Sequence, residues 1–134
     1  MSMATDAEAD RVFAAARLLA EHAAETSDEV LYRSAVSRAY YAVFLTAASR
    51  CGTANEESVH EQVYLKCRRA MGGVVAERIK ALKRLRVAAD YFIVPLGTFA
   101  DGVPDGSNWA EVWRYVEFWT PRLLPRIRAV HSWR

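Results

Sequence analysis

The segment RSAVSRAYYAVF, Arg33–Phe44, sets the reading of the whole chain. It is small or apolar at most positions, yet carries Arg33, Arg38 and the adjacent phenols Tyr40 and Tyr41. At about 100° per residue, Tyr32, Val36, Ala39 and Val43 fall on one side of a helix, and Arg33, Ser37, Tyr40 and Phe44 on another. Arg38, Ala42, Leu45 and Ser49 make a third side, with Tyr41 at its edge. A helix apolar nearly all round belongs at the centre of its fold or in an interface. Its arginines then need partners, because an unpaired buried charge costs several kcal/mol.

The helical pattern extends in both directions. Thr5 and Glu8 are spaced as a capping box ahead of Val12, Ala15, Ala16 and Leu19 on one face. Thr26 and Glu29 repeat that spacing and predict the start of the second helix, which runs to about Arg50 and stops at Gly52. A third helix is expected from about Glu56 to Met71, broken by Gly72-Gly73. The fourth covers Val74 to Val94, with Ile79, Leu82, Leu85 and Ala89 as its buried stripe, and ends before Pro95. LGTFADGVPDGSN reads as the longest loop. A fifth helix starts near Asn108 and carries Trp109, Trp113, Val116 and Trp119; Thr120-Pro121 predicts a kink or a restart. Nothing alternates with period two. The expected fold is all-α, an up-and-down bundle of four to five helices in a single domain over 1–134.

The bulk properties agree with that class. The chain has 134 residues, 52% hydrophobic and 25% charged, which suits one globular domain with a real core. Its longest apolar runs fall far short of the ~20 residues that span a bilayer, so no membrane association is expected. The opening MSMATDAEAD lacks the basic and apolar regions of a signal peptide, and the expected location is cytoplasmic. Cys51, Cys67 and His60 lack metal-ligand spacing; neither a metal nor another cofactor is expected, and the cysteines read as free thiols.

Charge is unevenly spread. Residues 1–29 hold seven acids against two arginines, whereas eight cations (Lys66, Arg68, Arg69, Arg78, Lys80, Lys83, Arg84, Arg86) face only Glu77 between Lys66 and Arg86. Such asymmetry suits a polyanion or an acidic partner, and a solvated helix face is the ordinary alternative. Within LKRLRVAADYF, Asp90 follows Arg86 by four residues, with Tyr91 beside it. The expected polar centre is Arg33, Arg38, Tyr41, Arg86, Asp90 and Tyr91, with Arg38 meeting Asp90 and the phenols donating hydrogen bonds. Trp109 and Trp113 share a helical face that could stack a base, although core packing explains such a stripe more often.

SRAYYAVF resembles the helix-two signature of the HEPN domain family in its small stand-alone prokaryotic branch. Arg86, Ala89, Asp90 and Tyr91 match that branch's Arg–x–x–Ala–Asp–Tyr element in helix four, and the resemblance covers roughly residues 5 to 94. It implies a helical bundle that pairs as a homodimer, and an association with toxin–antitoxin or defence systems, in some members beside a nucleotidyltransferase or antitoxin partner. It also implies a metal-independent ribonuclease site built on Arg–x(4 to 6)–His, in which histidine moves the proton and arginine stabilises the phosphorane.

The chain departs from that motif. Leu45 stands seven residues after Arg38, and Asp90 six after Arg84. Literal Arg–x4–His matches are Arg17 with His22, in the acidic first helix, and Arg126 with His131, in the basic tail. The expectation is therefore a HEPN-like protein that binds RNA, a nucleotide or a protein partner, with the family's nuclease histidine absent. The alternatives are an active ribonuclease using His131 or His60, and a purely structural adaptor.

Overall fold

The computed structural model describes residues 6–51, 59–91, 104 and 108–133. Among them the regular structure is five helices: α1 Asp6–Thr26, α2 Glu29–Cys51, α3 Val59–Met71, α4 Gly73–Tyr91 and α5 Trp109–Arg128. The all-α bundle expected from the sequence is what forms. No described helix is long and apolar enough to cross a membrane.

Helix α2 packs against all four others, which is why its sequence is apolar on nearly every side. Its contact with α1 is the most extensive, and both helices bury alanines: Ala9, Ala16, Ala20 and Ala23 in α1, Ala35, Ala39 and Ala42 in α2. Small side chains let two helix axes approach closely, so this pair gains dispersion contact without large residues. Larger buried side chains complete the core, Leu82, Leu85, Val112, Val116, Leu123 and Ile127 from α4 and α5 together with Tyr40, Val36 and Val43 from α2.

Helix ends follow local chemistry, with differences from the sequence expectation. Asp28, rather than Thr26, caps α2: its Oδ1 accepts from Val30 N at 2.9 Å and Leu31 N at 3.4 Å. The Thr26 hydroxyl instead donates back to the His22 carbonyl at 2.8 Å, closing α1. Gly72 joins α3 to α4 at φ 94°, a left-handed conformation that costs glycine nothing. Asn108 caps α5 by accepting from Glu111 N at 3.2 Å. Of the kink or restart expected at Thr120-Pro121, the restart does not occur, since Pro121 and Pro125 both lie inside α5. Val116, Thr120, Leu123, Leu124 and Ile127 form one buried stripe through the prolines, and its burial outweighs the lost backbone bonds. Thr5, Gly52, Glu56, Val94, Pro95 and the loop before Asn108 lie outside the described residues, Pro104 apart.

Ion pairs fix how the helices run. Asp6 at the start of α1 meets Arg50 (2.7 Å) near the end of α2 and Arg128 (3.2 Å) at the end of α5. Arg50 and Arg128 hold the Asp6 carboxyl below its usual range, Arg50 through the dominant hydrogen bond. Arg33, near the start of α2, reaches the Ala88 carbonyl near the end of α4 at 2.7 Å, so these two helices are antiparallel. Helix α3 lies along the C-terminal half of α2, with Lys66 Nζ donating to the Cys51 carbonyl at 3.1 Å. That placement builds the site below.

Candidate functional site

Tyr40 and Phe44, one turn apart on α2, are both buried and face the start of α3. His60, in the first turn of α3, stacks on Phe44 with ring centroids 4.2 Å apart and planes at 22°. It lies almost parallel to the Tyr40 ring as well, and its Nδ1 is 2.7 Å from the Tyr40 hydroxyl. Tyr40 is 2% exposed, and burial pushes its phenol far above the ordinary range, so the hydroxyl keeps its proton. A buried hydroxyl proton needs an acceptor, and His60 Nδ1 is the one in reach among the described residues. Nδ1 therefore accepts, and Nε2 carries the ring proton. Burial, assisted by the nearby cations Lys83 and Arg86, holds the imidazole below its usual pKa. His60 is accordingly neutral at pH 7 and presents Nε2–H as a donor.

Arg86 on α4 closes the other side. Its guanidinium carbon lies 5.7 Å from the Tyr40 ring centroid and 5.4 Å from that of Tyr41, within cation–π range. Its Nη1 meets Asp90 Oδ2 at 3.2 Å one turn along α4. The side chain is only 12% exposed, and its Nε is buried without a hydrogen-bond partner among the described residues.

The expected polar centre is thus partly assembled. Tyr41, Arg86 and Asp90 come together. Arg38 does not join them: it is exposed on the stripe Ser34, Arg38, Tyr41 and Leu45 and forms no ion pair or hydrogen bond among the described residues. No described helix covers that stripe at Arg38, so burial never forces the arginine to find Asp90, whose carboxylate Arg86 takes instead. Arg33 has a separate role. It bonds Glu29 (3.2 Å) and the Ala88 carbonyl, and lies 4.3 Å from the Trp109 ring centroid, bracing α2 against α4 and α5. Tyr91, 67% exposed, ends α4 in solvent. Trp109 and Trp113 are buried and offer no face to a base.

His131 is exposed beyond α5, in a shallow groove with Arg126, Ala70 and Met71. Arg17 pairs with Glu117 at 3.6 Å and His22 Nδ1 lies 3.9 Å from the Glu25 carboxylate, so the other literal match sits among surface acids. The residues that sequence reasoning underrated are Tyr40, Phe44 and His60. The i, i+4 spacing of Tyr40 and Phe44 on α2 was visible, but nothing local indicates which helix meets that face.

No group of three or more potential metal ligands gathers among the described residues. Cys51 and Cys67 are buried thiols, and burial, followed by the neighbouring Cys51, pushes the Cys67 thiol up to about 12. A thiol so held is inert near neutral pH.

The charge asymmetry acquires a location. Apart from Arg86–Asp90, every ion pair among the described residues lies on α1, α2 and α5. Arg68, Arg69, Lys80 and Lys83 on α3 and α4 have no carboxylate partner there. The same face carries His60 and a cavity of about 300 Å³ lined by Tyr40, His60, Val63, Ile79, Lys80 and Lys83. No protein-family model matches the chain, and no curated protein or solved structure matches it either.

Proposed function

We propose that this domain binds RNA across the α3–α4 face, with Arg86, Tyr41 and Asp90 as the polar centre and His60 donating Nε2–H to a phosphate oxygen. The observation that carries the reading is the set of cations on α3 and α4 without carboxylate partners, beside that neutral histidine. Unneutralised ammonium and guanidinium groups release counterions from a polyanion, which drives sequence-tolerant binding. The likeness of SRAYYAVF to HEPN helix two supports the same reading. It also supports a homodimer, for which we assign the α2 stripe of Ser34, Arg38, Tyr41 and Leu45, and a protein partner such as an antitoxin or nucleotidyltransferase in the cytoplasm. Titrating labelled single-stranded RNA at several salt concentrations tests this. Lys80→Gln/Lys83→Gln should weaken binding and reduce the slope of log K against log salt by about one to two. An unchanged slope and affinity would sink the proposal.

A second reading, metal-independent RNA cleavage, rests on His60 lying near Arg86 and Lys83. Its chemistry is weaker, because Nε2 already holds a proton and cannot take another from a 2′-hydroxyl. RNA decay in chelator that is abolished by His60→Ala, and not by His131→Ala, would establish it.

A further inference from the structure

The α3–α4 cavity has a chemistry of its own. Its volume is about 300 Å³. A dry cavity of about 150 Å³ already holds a benzene-sized ligand, and small-molecule sites begin near 300 Å³. The space therefore fits one ring or short chain together with a head group, and not a polymer. Val63 and Ile79, both buried, form its floor, and Leu65 with the rings of Tyr40 and Tyr64 makes much of the wall. A hydrated ion alone would leave that apolar surface against water.

The polar groups at its rim are chiefly donors. Lys80 and Lys83 have no ion-pair partner among the described residues, and Lys80 Nζ sits 5.1 Å from the Tyr64 ring centroid. His60 offers Nε2–H, because Tyr40 occupies Nδ1. The Tyr64 hydroxyl already donates its proton to Glu77 at 2.7 Å, so it has none left to give an anionic head group. Glu61, exposed, is the single carboxylate of the lining, set against two ammonium groups.

We propose that this cavity is a binding site for a small organic anion: an apolar ring or short chain bearing one carboxylate or phosphate. The apolar body lies on Val63, Ile79 and Tyr40, and the anionic head meets Lys80, Lys83 and His60 Nε2–H. The site shares Lys80, Lys83 and His60 with the proposed RNA face, and differs from it in requiring a concave apolar floor that a phosphodiester backbone does not use.

Amide-resonance titrations of the intact protein with four probes test it: benzoate, phenyl phosphate, inorganic phosphate and benzyl alcohol. Benzoate, phenyl phosphate or both should shift His60, Val63, Ile79 and Lys83 in a saturable way, while inorganic phosphate and benzyl alcohol leave them unmoved. Comparing the first two identifies the head group. Lys80→Gln and Lys83→Gln, which replace the ammonium by a neutral amide on a slightly shorter side chain, should each weaken binding roughly tenfold. Equal binding of benzyl alcohol would overturn the proposal by reducing the site to an apolar hole. Equal binding of inorganic phosphate would overturn it by reducing the site to a cation patch. Silence from both ring anions, or shifts centred elsewhere, also overturns it, whatever the RNA titration gives. Saturable ring-anion binding without RNA affinity would leave this site standing and remove the RNA reading alone.

Discussion

The Tyr40 hydroxyl and His60 Nδ1 lie 2.7 Å apart and join the middle of α2 to the first turn of α3. One side of this bond is buried and the other opens on the cationic face, so it couples core packing to the site. Tyr40→Phe keeps the ring stack with Phe44 and His60 but removes the donor. Urea denaturation should show a loss of about 1 kcal/mol, the net worth of a typical hydrogen bond. Nitrogen shifts of the His60 ring should change from a single Nε2–H tautomer to a mixture; an unmixed tautomer in the variant would contradict the assignment.

The two arginines of the opening helix should behave in opposite ways. Arg33→Ala strips a donor from the Ala88 carbonyl and a cation from Trp109, so denaturation should report a loss of about 2 kcal/mol. Arg38→Ala removes an exposed side chain with no partner among the described residues, and stability should stay within about 0.5 kcal/mol. If Arg38 serves a second copy of the chain, its loss should appear in sedimentation as monomer, with the monomer's stability unchanged.

Arg86 is the centre of the polar cluster, and its test separates charge from shape. Arg86→Lys keeps the charge but loses the flat guanidinium over Tyr40 and Tyr41, and should cost about 1 kcal/mol. Asp90→Asn removes only a largely exposed i, i+4 partner and should cost about 0.5 kcal/mol or less. A larger loss from Asp90→Asn than from Arg86→Lys would show that the ion pair, not the stacking, holds α4 to α2.

Protonation of His60 gives a signed pH dependence. Its folded pKa lies below the ordinary value of 6.5, chiefly through burial, so the unfolded chain binds the proton more readily. The stabilising effect of a neutral His60 is complete above about pH 6.5 and is lost as pH falls through the lower folded value. Thermal midpoints should thus drop as pH falls below about 6.5, less steeply in His60→Gln than in the natural chain. Anion binding should run the other way and strengthen on acidification, because a protonated imidazole attracts the ligand and a bound anion raises the pKa in return.

The fold was legible because burial leaves a periodic trace. The apolar surround of α2, the stripe on α4 and the break at Gly72-Gly73 each follow from 3.6-residue spacing or from backbone freedom, both local properties. At the helix boundaries the sequence was a poorer guide. Thr26 reads as the cap of α2, yet its hydroxyl donates to the His22 carbonyl and Asp28 caps the helix. Proline at 121 predicted a kink or a restart, and the helix continues through it above a buried stripe.

The amino-acid sequence by itself determined an all-α bundle, a central α2, and the clustering of positive charge on α3 and α4. It also linked Arg86 to Asp90, since four residues along a helix bring two side chains together wherever the helix goes. Only the tertiary structure decided that Arg38 faces solvent while Arg33 is braced by Ala88 and Trp109, although five residues separate them on one helix. It alone set His60 between Tyr40, Phe44 and the α4 cations, across a connection that no periodicity describes. The reason is physical: spacing fixes which side chains share a face, and the neighbour that covers the face fixes which of them become buried, paired or left open to a ligand.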